Sequence, residues 1–359
     1  MSHHPPVRPR TLALFEKRID GDDCLLELAR LRFRQAGLGT EIYAPNTGLL
    51  EWMLGFRPDD QAPVVAHLSR ALNVAETGCH PQIEEFARRF AGRVYGLVIH
   101  DHSLLVENPR DYVRAAQELN GRLQAIPNCP WLFVEYAVGV DLAAFVSFAE
   151  ALRTLDRISV CVDIGHVGIQ QARHAYFQLH PRVDVCTLKA QPLLLPQALP
   201  EVEQATASAL PAVLGLIQQL GNSGKPVHFH LHDGHPLSTF SPFGVSDHLS
   251  FLTEIPLNFE YQGRRRARLM FGPGGLFEVV AQALRGLGGE RVSFTLEIHP
   301  PADRLALGDA AHLFHHWRDK TNAERMNCWL AVLVENHQLL TLAINSALQA
   351  SQVEPPKET

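Results

Sequence analysis

The sequence predicts an α/β fold of the (β/α)8 TIM barrel kind, with loop insertions and a C-terminal helical extension, and three observations predict it. Short apolar, β-branched runs alternate with amphipathic stretches about eight times, which is the pattern of parallel βα units. The chain of 359 residues has room for one barrel of roughly 250 residues plus insertions. The competing architecture, a doubly wound open sheet, is disfavoured because no GxGxxG turn follows the first strand and no P-loop lysine motif is present.

The elements follow in order. A first strand is expected at 11–15, then a helix over 22–35 whose Leu25, Leu28, Ala29, Leu31 and Phe33 form one apolar face before the stop at Gly37. The second strand falls at 40–44, with residues 49–54 helical after it, and the third at 63–67. A helix over 81–90, with Ile83, Phe86, Ala87 and Phe90 at helical spacing, leads to the fourth strand at 94–100. The fifth and sixth strands, 131–135 and 158–163, flank a helix-like stretch over 141–155 with Ala143, Phe145, Phe148 and Leu152 on one side. An insertion over 191–224 follows, in which Pro192, Pro196 and Pro200 mark a loop and 201–220 reads as a helix. The seventh strand is 227–231. A second excursion over 238–268 and a helix over 275–287 precede the eighth strand at 292–298, and a helical tail runs from Asp309 to about Ala350. The expected division is a flexible start over 1–10, the barrel over 11–300, the helical extension over 301–350 and a frayed tail over 351–359.

Composition narrows the class. A hydrophobic fraction of 46% with 19% charged residues is that of a folded globular chain. Thirty-two Lys+Arg against 38 Asp+Glu give a net charge of −6, which supplies no global attraction for phosphate backbones, so nucleic acid is disfavoured as a partner. The His- and Pro-rich start has no apolar leader segment, and no apolar run approaches the roughly 18–20 residues of a membrane span; a soluble, cytoplasmic chain is expected. Cys24, Cys79, Cys129, Cys161, Cys186 and Cys328 are scattered singly without a CxxC pair, so reduced core thiols are expected.

The 19 histidines point to chemistry, because several close apolar strands. In TIM barrels the active site lies at the C-terminal ends of the strands, and here those ends carry His67, His100, Glu135, Asp163 with His166 nearby, His230 and Glu297. His228, His230 and His232 alternate along one strand and face the same side, so the strand alone does not select the ligand. Asp233, Asp247 and His248 add candidates from the following loop. A single such residue could simply cap a helix or bond within the core. Together, carboxylates gathered in one mouth repel one another, and imidazoles set among them point to a divalent ion: Zn, Mn, Fe or Co, with one to three ions, and not Ca or Mg alone.

The order Glu135, Val-Asp163-Ile-Gly-His166, His230-Leu-His-Asp233 and Leu-Glu297-Ile resembles the xylose isomerase-like superfamily, also called the AP endonuclease family 2 barrels, over residues 11–300. The resemblance implies a mononuclear metal shell of Glu135, Asp163, His230 and Glu297. It also implies that His166 contacts substrate as in the epimerases, or binds metal as in endonuclease IV. In the latter, further histidines matching His67 and His100 and an Asp-x-His in the loop hold three zinc ions; here Asp247 and His248 are adjacent instead, which weakens the case for the third ion. The expected activity is a metal-dependent isomerase or epimerase of a sugar or sugar-like hydroxy-carbonyl compound, working through an enediolate with Glu135 and Glu297 moving the proton and His166 steadying an oxygen. The alternatives are a multinuclear phosphoesterase of endonuclease IV type and a metal-dependent oxidase or dehydratase.

Remaining features are weaker. His232, Asp233, Arg264 and Arg266 are candidate substrate contacts, the arginines as a grip on a sugar phosphate or as a solvated loop. Gly272-Pro273-Gly274-Gly275 is either a plain loop or an anion-facing turn. Residues 312–329, rich in His, Trp and charge, are expected to pack on the barrel or to form a contact in a homo-oligomer.

Overall fold

The computed structural model describes residues 7–15, 23–55, 62–137, 139–191, 193–234, 248–298 and 323–353. Eight parallel strands close a barrel: β1 (Arg10–Phe15), β2 (Gly39–Ala44), β3 (Val64–Leu68), β4 (Gly96–His100), β5 (Trp131–Glu135), β6 (Ile158–Asp163), β7 (Val227–Leu231) and the last strand of the chain, β10 (Val292–Leu296), which pairs with both β7 and β1. The intervening β8 (Ile255–Tyr261) and β9 (Arg264–Ala267) form a separate antiparallel ribbon.

Alternation along the strands sorts the side chains into two cores. Ala66, Leu97, Ile99, Leu132, Val134, Val162, Phe229, Leu231, Phe294 and Leu296 point outward into the main core beneath the helices. Leu12, Val65, Val98, Phe133 and Cys161 point inward and form an apolar plug, with Tyr95 and Trp131 packed against it. The next inward residues are polar: Tyr43, His67, His100, Glu135, Asp163 and His230. Register sets their neighbours, pairing His100 with Glu135, Asp163 with His230, and Tyr43 with His67.

The helices that cover the barrel are α1 (Asp23–Ala36), α2 (Thr47–Gly55), α3 (His80–Arg89), α4 (Leu104–Glu107), α5 (Pro109–Gln124), α6 (Leu142–Ala151), α7 (Ile164–Leu179), α8 (Leu195–Thr206), α9 (Ala209–Leu220) and α10 (Gly272–Leu287). Their starts are chemically marked. Asn108, Asp141 and Asp163 each accept backbone N–H bonds at the first turns of α5, α6 and α7. The last helix, α11 (Ala323–Val353), lies along α10 and α1. Its buried Asn336 accepts from Phe251 N and donates to Ser250 Oγ, tying the extension to the segment after β7.

Two expectations need correction. Pro196 and Pro200 do not mark a loop; both lie in α8. Pro196 is in the first turn, where no N–H partner is required. Pro200 interrupts the ladder further in, in a helix that buries Leu195, Leu199 and Val202 in a satellite core with Tyr176, Val185, Leu188 and Ala267, so packing overrides the local penalty. The helix expected over 201–220 is two helices, α8 and α9, parted at Ala207 and Ser208. The expectations for residues 1–6, Pro192, 238–247 with Asp247, 299–322 and 354–359 lie outside the described residues.

Candidate metal centre

Among the described residues, the mouth of the barrel gathers its donors in three adjoining groups. Within each group, one ligand atom per residue lies within 4.8 Å of the others: His67, His100 and Glu135; Glu135, Asp163, His230 and Glu297; and Asp163, His166, His232 and His248. Glu135 belongs to the first two and Asp163 to the last two. A fourth group, Cys161, His228 and His230, sits one layer deeper.

The central group shows a common pattern: one heteroatom of a side chain is anchored and the other is left over. Asp163 Oδ1 accepts from His166 N at 2.8 Å and from His232 Nε2 at 2.7 Å, while Oδ2 has no hydrogen bond. Glu297 Oε1 accepts from the Tyr43 hydroxyl at 2.8 Å, while Oε2 has none. His230 Nε2 lies 2.9 Å from Glu41 Oε1, while Nδ1, 2.9 Å from Glu297 Oε2 and 3.3 Å from Glu135 Oε1, makes no aligned hydrogen bond. The fourth member, Glu135, directs Oε2 to His67 Nε2 at 3.0 Å, with His100 Nε2 3.4 Å from the same oxygen. Buried polar atoms are normally satisfied. Three leftover donors on one small volume, all fully buried, fit a divalent cation.

The electrostatics agree. Burial alone would raise Glu41, Glu135 and Glu297, yet the neighbouring imidazoles, His230 foremost, hold all three below the usual carboxylate range, Glu297 at about 2. His230 moves the other way: burial pushes it down, but the Cys161 side chain and the Glu41, Glu297 and Glu135 carboxylates pull it well above the ordinary histidine value. The cavity therefore draws positive charge to itself, and a proton and a metal ion compete for it. His100 is brought down to about 4, by burial first, which leaves its imidazole neutral and lone-pair-bearing at physiological pH.

The remaining candidates are placed as follows. His166 and His232 stand with rings 6.1 Å apart, and His248 stacks on His232 at 4.0 Å. His232 is seated directly on the backbone of Gly165 in the first turn of α7, where any Cβ would overlap its ring. Asp233 is fully buried and spends both oxygens on backbone: Oδ1 on Gly234 N and Phe271 N, and Oδ2 on Gly272 N. The Gly272–Gly275 turn is accordingly the start of α10, and the anion that its N–H groups meet is the chain's own carboxylate. Arg264 and Arg266 are exposed on the ribbon and line, with Arg268, Tyr261, Glu203 and Glu254, a separate basin of about 440 Å³; they belong to none of the donor groups.

Sequence reasoning missed Glu41 and Tyr43 as site residues, and gave His228 no partner. Their signal was present: in Gly-Thr-Glu-Ile-Tyr-Ala the two polar residues alternate on one face of a strand inside a barrel.

No protein-family model matches the chain, and no curated protein sequence matches it. Among solved structures, the carboxyl transferase domain of Rhizobium etli pyruvate carboxylase with pyruvate aligns over 98% of this chain and 50% of that one, at 12% identity and a TM-score of 0.37. The same domain with 3-bromopyruvate aligns over 92% and 48%, at 13% identity and a TM-score of 0.38. The chain thus spans about half the length of these structures, and likenesses this distant carry no argument about the site. Among the described residues, no helix is long and apolar enough to cross a membrane.

Proposed function

We propose that the chain is a multinuclear divalent-metal enzyme of the xylose isomerase-like kind, of the phosphoesterase or oxidase class and not a one-metal isomerase. The observation that carries this is the convergence of His67 Nε2 and His100 Nε2 on one oxygen of Glu135, which places both histidines in a donor group beside the central one. In a mononuclear isomerase these histidines would face substrate, and Glu135 and Glu297 would act as bases. The anchoring of Glu297 by the Tyr43 hydroxyl suits a fixed ligand better than a proton carrier.

In this reading Glu135, Asp163, His230 and Glu297 would hold a central ion, His67, His100 and Glu135 a second, and Asp163, His166, His232 and His248 a third. Bound ions of this kind supply Lewis acidity and ionise water near neutral pH. The chain's own residues do the rest: Tyr43 and Glu41 hold Glu297 and His230 in place, the apolar plug closes the barrel beneath them, and neutral His100, the most open of the group, faces the mouth.

The second reading, a one-metal isomerase or epimerase, is favoured by one feature, the approach of both Glu135 and Glu297 to His230 Nδ1. Metal content per chain, measured by elemental analysis on the wild type and on the His67→Ala/His100→Ala variant, separates the two. Two or three ions falling by one in the variant are expected; one ion in both proteins returns the assignment to the isomerase.

A further inference from the structure

We propose that Glu41 is a positioning residue for the central ion: by accepting the Nε2 proton of His230 it fixes one tautomer of that imidazole and leaves Nδ1 as the donor. The inference rests on the metal-dependent reading above and assigns a role to a layer of the barrel that supplies no ligand of the central group.

Glu41 is the third residue of β2, is fully buried, and points into the barrel at the level of the apolar plug. A carboxylate in that layer is unfavourable unless its charge is paired and bonded. It is paired twice, with Oε1 2.9 Å from His230 Nε2 and Oε2 3.0 Å from His228 Nε2. His228 is in turn held from behind, its Nδ1 2.7 Å from the Ser293 hydroxyl. Both oxygens of Glu41 are therefore fixed in direction by groups that are themselves fixed.

The consequence falls on His230. A neutral imidazole carries one N–H and one lone pair. With the proton on Nδ1, the Nε2 lone pair would face the Glu41 oxygen at hydrogen-bond distance, acceptor against acceptor. With the proton on Nε2 that contact is a charge-assisted bond, and the lone pair is left at Nδ1, the atom that has no aligned hydrogen bond and lies between Glu135 and Glu297. A carboxylate behind a ligating histidine also raises the basicity of its donor nitrogen.

The test uses the full chain and zinc. Zinc affinity is measured by chelator competition in the wild type and in Glu41→Gln, whose amide keeps the shape but offers one acceptor where the carboxylate offers two. Nitrogen-15 spectra of histidine-labelled protein read the tautomer. A loss of about 10–100-fold in affinity of the tightest zinc is expected in E41Q, with the His230 proton on Nε2 and zinc on Nδ1 in the wild type. Affinity unchanged within about twofold in a folded E41Q, or zinc on Nε2 in the wild type, overturns the assignment; should E41Q fail to fold, the wild-type spectrum alone decides. A wild type that takes up no zinc sinks the metal reading separately, and the inference is then judged in metal-free protein at a pH where the imidazole is neutral, a proton on Nδ1 overturning it.

Discussion

Gly165→Ala tests how tightly the mouth is assembled. Gly165 lies in the first turn of α7, where alanine in place of glycine ordinarily stabilises a helix by about 1 kcal/mol. Here the new methyl would overlap the His232 ring, and that ring has no room to retreat, because it is fully buried and His248 stacks on it at 4.0 Å. Overpacking typically costs about 1–3 kcal/mol, and displacing the ring also breaks its 2.7 Å bond to Asp163 Oδ1, a bond to a charged group worth about 1.5–3 kcal/mol. Net destabilisation of about 2–4 kcal/mol is expected. Gly121 in α5 is the internal control: nothing lies within 4 Å of a Cβ built there, so Gly121→Ala should stabilise by about 0.5–1 kcal/mol. Urea denaturation of the two variants beside the wild type gives the comparison, with zinc affinity as a second reading that should fall only in Gly165→Ala. If the two alanine variants shift stability in the same direction, the close seating of His232 on α7 is wrong.

Two further outcomes follow from the same contacts. Asp233→Ala leaves three N–H groups, those of Gly234 and Phe271 buried and that of Gly272 half-buried, without their acceptor; offset by relief of a buried carboxyl whose pKa burial has pushed up to about 6, a loss of about 2–4 kcal/mol is expected in urea unfolding, and a change below about 1 kcal/mol would contradict the capping role. Lys225 buries its ammonium against the carbonyls of Leu155 and Ile158, and burial brings its pKa down to about 8. Between about pH 8 and 10.5 the unfolded chain holds this proton and the folded chain has released it, so stability rises with pH through that window, by at most about 3 kcal/mol. The difference between wild type and Lys225→Met, followed by urea midpoints, isolates the effect; parallel pH profiles would remove it.

Much of the barrel was legible in the sequence, because its signals are local. The runs at 131–135, 158–163 and 227–231 coincide with β5, β6 and β7, since strands buried on both faces read as continuous apolar segments ended by a polar residue. Helix α8 was not legible: its prolines speak against a helix, and the satellite core that holds it is assembled from α7 and the ribbon, which no local window contains. The donors at strand ends were visible for the same reason the strands were. Glu41 was not, because it sits inside a strand, and its meaning depends on His228 and His230 at sequence separations of 187 and 189. Asp233 misleads in the opposite way: beside His232 it looks like a substrate contact, while its partners arrive from residues 271 and 272.

The plug of Leu12, Val65, Val98, Phe133 and Cys161 gives the barrel a floor. Apolar side chains do not ligate ions, so a cation held by the central donors would find no second ligand among Leu12, Val65, Val98 and Phe133. One polar thread runs through that floor, the hydrogen-bonded line from His230 through Glu41 and His228 to Ser293.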